Sequence, residues 1–504
     1  MINKVLILLL ISIQLVFAQE LFFENPVNAK LKDSVIAKVG NIKITSEEFI
    51  YGYEFGPAFP KRVQDSKKVY LNYLINEKLL ALEGYSENIF KNDFSSDMYN
   101  SIVADITTEQ MFTEKILPGI NIEETEIEKV IDKKQTEYSL RWLYSKDKLQ
   151  MDGFVNSLKN GIPFDSLFFK QLSDSVTIDD RQLKTSLYDI YLKNPFFATI
   201  IDSMSNDNTS APIEAPDGWY LIKIDNKWKT VVTNETELNK LRSESINAIK
   251  KSKMDAQSDK FVKDLFKETA PVINKESFSV AKAFLGKFVL DSLKFNQWRL
   301  IDILDSSLAK LRKKRGEQFK DIVLVEGKSL KISLEEFIRW FRVREQFLKI
   351  NKTNISAYSK SMQDYVWLMV RDRLLSDRAI QLGYNKSDWV IKQSKWWKDK
   401  TCYSTHKNEI SKSVVLSNDE RNLVNDKGKS ADDILNEKFN RKLFLKLSEL
   451  KKKYKVIIND NILNSLQVSE ENNKNSIDLY IVKRGNLIPR TPYPCIDNEW
   501  QNWQ

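Results

Sequence analysis

Apolar and polar positions along the chain follow two different periods, and the places where the period changes divide it into segments. Ile42 to Ile50 reads Ile-Lys-Ile-Thr-Ser-Glu-Glu-Phe-Ile, a short alternating strand that runs into a helix. Leu330 to Ile338 repeats it as Leu-Lys-Ile-Ser-Leu-Glu-Glu-Phe-Ile. A hydroxyl followed three residues later by Glu predicts a capping box in each copy, Thr45 with Glu48 and Ser333 with Glu336. Further on, each copy carries an amphipathic helix, Tyr70 to Leu80 and Tyr365 to Leu375, that stops at Gly84-Tyr85 and Gly383-Tyr384. Each closes on a charged helix and a β-prone piece: Phe261 to Thr269 before Val272-Ile273-Asn274, and Phe444 to Lys453 before Val456-Ile457-Ile458-Asn459. This predicts two related helical modules in tandem, with Phe49 and Phe337 in equivalent core positions.

The copies differ in what lies between the helices. From Glu137 to Lys229 the helical period is lost: Tyr138 to Leu143 is strand-like, Phe154 to Leu158 begins a helix, and Trp219 to Ile224 alternates as a half-buried strand. The second copy has only a polar crossing near Asn418 to Ser430. A small α/β domain is therefore expected as an insert in the first module. The expected organisation is residues 1–18 as a signal peptide, 30–136 as the first part of module 1, 137–230 as the insert and 231–278 as the closing helix. A helical connector at 279–321, module 2 at 322–466 and a strand with a Pro/Trp tail at 467–504 complete it. The tail combines strand-like Leu479 to Val482 with Pro489, Pro492, Pro494, Trp500 and Trp503, which suits an extended segment laid on a surface.

The N-terminus reads as an export signal: Lys4, an apolar run from Val5 to Ile13 too short to span a bilayer, and Val16-Phe17-Ala18 at the expected cut. No later stretch predicts a transmembrane segment in the mature chain. With 504 residues, 42% of them hydrophobic, length suggests about three domains. The formal charge is +9, but 69 acidic residues are mixed among 78 basic ones, which describes solvated helix faces rather than a nucleic-acid footprint. His406 is the only histidine, so zinc sites and histidine triads have little support, and there is no Gly-rich phosphate loop; neither metal nor cofactor is expected. Cys402 and Cys495 are too few for a disulfide framework, and their spacing leaves one bridge and two separate thiols equally open.

In order, these motifs resemble the SurA-like periplasmic chaperones and related parvulin-type prolyl isomerases. Val39-Gly40 to Ile50, the helix around Leu74 to Leu80 and the closing Val272-Ile273-Asn274 are similar to that family's chaperone domain. Gly161 to Leu167 with Leu172-Ser173, Ser210 to Ile213, and Asp217 to Ile224 resemble its parvulin domain. The resemblance implies an α-rich multidomain (α+β) fold: two tandem SurA-like helical chaperone modules, the first with an inserted parvulin-like α/β domain. It also implies two strand histidines, and the matching positions here are Arg141 and Tyr220. A Gly-rich loop is expected after Ser173, where the chain has Asp179 to Lys184 without glycine. The parvulin site is thus read as degenerate, with no catalytic residue assigned.

The function implied is that of a periplasmic, ATP-independent holdase for unfolded or nascent outer-membrane and secreted proteins. Its rivals are an active prolyl isomerase and a fixed subunit of an envelope assembly or secretion machine docked through the tail. Phe196, Phe197 and Trp219 are candidates for a client-binding cleft with Tyr220. Trp396-Trp397 is a further candidate, since adjacent helical positions lie about 100° apart and one of the pair is expected to face outward.

Overall fold

The structure is a computed structural model that describes residues 26–315, 321–421, 430–469 and 490–503. The expected signal peptide, the Leu479 to Val482 strand and Pro489 lie outside the described residues. The first copy opens with strands β1 (Val35–Val39) and β2 (Ile42–Thr45) and helices α1 (Ser46–Glu54), α2 (Ser66–Ser86) and α3 (Asp93–Met111). Next come α4 (Glu124–Gln135), β3 (Thr136–Ser145), α5 (Lys148–Lys159), α6 (Phe164–Lys170), β4 (Gln182–Ser186), α7 (Leu187–Lys193), α8 (Pro195–Asp202), β5 (Ile213–Ala215) and β6 (Gly218–Lys229). The long α9 (Glu235–Thr269), β7 (Val272–Ile273), α10 (Lys275–Val289) and α11 (Leu300–Arg315) lead to the second copy. That copy holds β8 (Val323–Glu326), β9 (Lys331–Ser333), α12 (Leu334–Arg344), α13 (Ile355–Gln381), α14 (Asp388–Lys412), α15 (Ala431–Lys453) and β10 (Val456–Ile458). Among the described residues, no helix is long and apolar enough to cross a membrane.

Two compact units result, one formed by residues 120–254 and the other by the rest of the chain. The smaller unit is wider than the expected 137–230 because α4 and the first part of α9 belong to it. Lys253 pairs with Glu126 at 2.6 Å and Arg242 pairs with Glu124. Its sheet has the antiparallel order β4-β3-β6-β5. Strand alternation sends Tyr138, Leu140, Ile222 and Ile224 to one face, under α7 and α8, and Leu143 and Leu221 to the other, under α5 and α6. Gly218 opens β6 at φ +151°, where a side chain would meet the Ser145 carbonyl oxygen at 2.7 Å.

In the larger unit the repeat is present, but its closing pieces are exchanged. The hairpin β1-β2 takes its third strand from β10, with Val39 opposite Val456 and Ala37 opposite Ile458. The hairpin β8-β9 takes β7, with Ile273 opposite Val325. The cores follow the same exchange. Ile36, Phe49, Tyr70 and Leu79 pack with Tyr403, Leu443, Leu447 and Leu450, whereas Phe337, Tyr358 and Met369 pack with Met111, Val262 and Leu265. The expectation of two self-contained tandem modules is therefore corrected: each copy is completed by helices and a strand of the other. Phe49 and Phe337 are both fully buried, one in each core.

One of the two expected capping boxes is complete. Ser333 accepts from the Glu336 N–H at 3.1 Å, and Glu336 accepts from the Ser333 N–H at 2.8 Å. In the first copy Thr45 still accepts from the Glu48 N–H, but the Glu48 carboxylate turns inward to the buried ammonium of Lys78, which also meets Asp399 of α14 at 2.8 Å. Burial would lower the pKa of Lys78, yet Asp399 and Glu48 outweigh it and hold the ammonium above its ordinary value. A charge network thus replaces the reciprocal half of the box and joins α2 to a helix of the other copy.

Candidate functional site

The sheet of the smaller unit carries most of the residues expected to form a site, and its pleat separates them. Arg141 lies opposite Lys223 and Tyr144 opposite Tyr220, so Arg141 shares a face with Leu143 and Trp219 while Tyr220 shares one with Trp142 and Ile222. Arg141 and Tyr220 occupy neighbouring strands as expected but face opposite ways. Nor is Arg141 free to act: it donates to both oxygens of Asp225 at 2.7 Å, pairs with Asp165 at 2.9 Å and stacks over Phe168. The hydrogen bond to Asp225, reinforced by the charges of both aspartates, holds its pKa above the ordinary value. It is a structural hub, held by carboxylates on the sheet face away from Tyr220.

On the other face, four rings form a continuous strip. Tyr144 and Tyr220 lie 5.1 Å apart, Phe197 meets Tyr220 edge-on at 5.5 Å, and Phe196 follows Phe197 at 6.3 Å. Asn194 fixes the two phenylalanines by capping α8, accepting from the Phe196 and Phe197 N–H groups. The strip is graded in exposure: Phe197, Tyr220 and Tyr144 are half-buried, while Phe196 is 60% exposed; Tyr191 and Leu192 of α7 are exposed as well. Tyr144 was not among the expected site residues, although its place two strand positions from Trp142, on the same face, marks it. Trp219 is absent from the strip, because the residue next to Tyr220 on a strand must face the other way, where Lys148 covers it.

The Tyr220 hydroxyl donates to Asp217 Oδ2 at 2.6 Å, and burial together with that carboxylate raises its pKa far from neutrality. The Tyr144 hydroxyl donates to the Asp217 carbonyl oxygen at 2.6 Å. These two hydrogen bonds orient the strip. His406, the only histidine, belongs to α14 in the other unit.

Trp396 and Trp397 do not offer a binding surface: they are 5% and 6% exposed. The expectation that one of them faces out fails because α14 is covered on two sides. Trp396 packs with Tyr51, Phe55 and Tyr493, and Trp397 packs with Ile102 and Ile106 beneath the Arg490 guanidinium. The described part of the tail lies on its own unit. Tyr493, Ile496 and Trp500 are buried, and Asp497 accepts from Lys400, Lys407 and Tyr403. Both cysteines are free and buried; burial pushes Cys402 up to about 12 and Cys495 up to about 11, so neither is a reactive thiol at neutral pH.

No family model matches the chain, and no curated protein sequence matches it. Among solved structures it is similar to the peptidylprolyl isomerase PrsA of Bacillus anthracis, at 14% identity and a TM-score of 0.20, covering 38% of this chain and 96% of that one. It is similar to the foldase protein PrsA of Streptococcus pneumoniae at 11% identity and a TM-score of 0.22, covering 44% and 91%. PrsA of Bacillus subtilis matches at 14% identity and a TM-score of 0.16, covering 45% and 91%.

Proposed function

We propose that this chain is an exported, ATP-independent chaperone that holds unfolded polypeptides, its clients being outer-membrane or secreted proteins in the periplasm. The observation that carries the reading is the aromatic strip of Tyr144, Tyr220, Phe197 and Phe196, which ends in exposed Phe196. Exposed apolar clusters on a protein otherwise rich in charge mark places where other chains bind. A graded strip of large rings takes apolar client side chains without demanding one sequence, which gives loose specificity.

The reading includes weak or absent prolyl isomerase activity. Lowering the roughly 20 kcal/mol amide barrier needs a pocket that favours the twisted bond over the planar one. Here the two strand positions that would face a shared proline look away from each other, and Arg141 is fully engaged by carboxylates. The packing of residues 490–503 argues against their use as a docking strip for a larger machine.

The test is a pair of variants, Leu192→Ser and Phe196→Ser, combined in one chain. Both side chains are exposed, so stability should change by less than about 0.5 kcal/mol. Binding of a urea-unfolded outer-membrane protein should weaken several-fold, and binding at full strength would remove the strip from the account. In a peptide assay of X-Pro isomerisation, which takes tens to hundreds of seconds uncatalysed, the unmodified chain at catalytic amounts should leave the rate nearly unchanged. Strong acceleration, lost on changing Phe196, Phe197 or Trp219 to Ala, would establish the isomerase reading instead.

A further inference from the structure

The chain's single imidazole is buried where two helices of different copies cross. His406 of α14 is 4% exposed, and neither of its ring nitrogens makes a hydrogen bond to the protein. Its Nδ1 nevertheless lies 2.9 Å from Oε2 of Glu87, the residue that ends α2. The contact is close but lacks the alignment of an N–H···O bond. Glu409, one turn further along α14, adds a second carboxylate, and the ligand atoms of Glu87, His406 and Glu409 all lie within 4.8 Å of one another. Among the described residues, neither glutamate is ion-paired with a lysine or arginine.

Nitrogen and oxygen ligands bind zinc at about 2.0–2.2 Å, so two of them on one ion stand roughly 3–3.5 Å apart. The His406–Glu87 distance is close to that spacing, and the exposed Glu409 side chain can close the remainder by a change of rotamer. An imidazole with two carboxylates suits a borderline cation such as Zn²⁺ better than Mg²⁺ or Ca²⁺, which prefer oxygen alone. Two carboxylates beside a buried imidazole also balance a divalent ion. We propose that Glu87, His406 and Glu409 form a site for one divalent transition-metal cation that clamps the end of α2 to α14. With three protein ligands, the fourth position faces the solvent side, where the glutamates are exposed, and water would fill it. A cation there would fasten together helices that belong to different copies of the repeat. This differs from the sequence reading, in which a lone histidine gave a metal little support. Glu87 stands in the other half of the chain, and only folding brings it to the ring.

The test uses the full chain stripped with EDTA and titrated with Zn²⁺ against a chromophoric chelator, alongside thermal melts with and without Zn²⁺. One Zn²⁺ per chain and a higher Tm are expected, with Mg²⁺ and Ca²⁺ producing neither. The double variant Glu87→Gln/Glu409→Gln, altered only at exposed side chains, should melt like the unmodified chain in EDTA and show no Zn²⁺-induced rise. Its Zn²⁺ affinity should fall by more than the 10- to 100-fold typical of losing an outer hydrogen-bond partner. Cys402→Ala should leave binding intact. Failure to bind Zn²⁺ at stoichiometric concentration, or equal binding by the double variant, would overturn the site and leave His406 in a bare contact with Glu87. Loss of binding in Cys402→Ala would overturn the proposed ligand set.

Discussion

Replacing Lys78 with Met tests the exchange between the two copies at its most buried point. Lys78 of α2 is held between Glu48 and Asp399, and all three side chains are almost wholly shielded from water. Methionine keeps the length of the side chain but leaves two carboxylates facing each other without a counter-ion. Breaking a buried pair on one side costs about 3–5 kcal/mol, most of it the penalty on the abandoned charge. Asp399→Asn alone removes one acceptor and leaves the Glu48 pair, so a smaller loss of about 1–3 kcal/mol is expected. If α14 of the second copy packs on α2 of the first, the two changes must be coupled, and the double variant should be less unstable than the sum by about 1.5–3 kcal/mol. Urea unfolding followed by the fluorescence of the buried tryptophans reports the transition of the larger unit. Strict additivity, within about 0.5 kcal/mol, would place Lys78 and Asp399 apart and refute the exchanged arrangement.

Two further outcomes follow from the same unit. Burial raises the Asp105 carboxyl to about 6, with Arg344 and Arg490 only partly offsetting it, so the folded state prefers the protonated form. Stability should therefore fall as pH rises from about 4 through about 6, and Asp105→Asn should flatten that part of the Tm–pH profile and stabilise the chain at pH 8 by up to about 3 kcal/mol. A variant with an unchanged profile would show that Asp105 is hydrated. Gly84→Ala would set a methyl 2.7 Å from the Cys402 sulfur and 3.3 Å from its carbonyl oxygen. Overpacking of about 1–3 kcal/mol should exceed the roughly 1 kcal/mol gained by removing a helical glycine, giving a lower Tm that Cys402→Ala partly restores. A Tm above that of the unmodified chain would contradict the close crossing of α2 and α14.

The repeat was legible because caps, helix stops and apolar period are local properties of the sequence, and Phe49 and Phe337 occupy buried positions in the two cores. The exchange of closing strands was not. Val272-Ile273-Asn274 and Val456-Ile457-Ile458-Asn459 are so alike that either satisfies either hairpin, and the choice is made by tertiary packing. The Thr45–Glu48 box failed for a related reason: a buried lysine from a distant helix offers Glu48 more than its own cap does. Period two already contained the separation of Trp219 from Tyr220, since neighbours on a strand face opposite ways. The burial of both Trp396 and Trp397 was hidden, because no local pattern states that α14 is covered on more than one side.

The central claim is that exposed apolar surface on this chain competes with the self-association of unfolded clients. Light scattering is the direct test: a urea-unfolded outer-membrane protein is diluted into buffer with the purified chain at equal concentration and without nucleotide. Scattering should be largely suppressed at this near-stoichiometric ratio. Scattering that rises as fast as in the client alone, even with a several-fold molar excess of the chain, would contradict it.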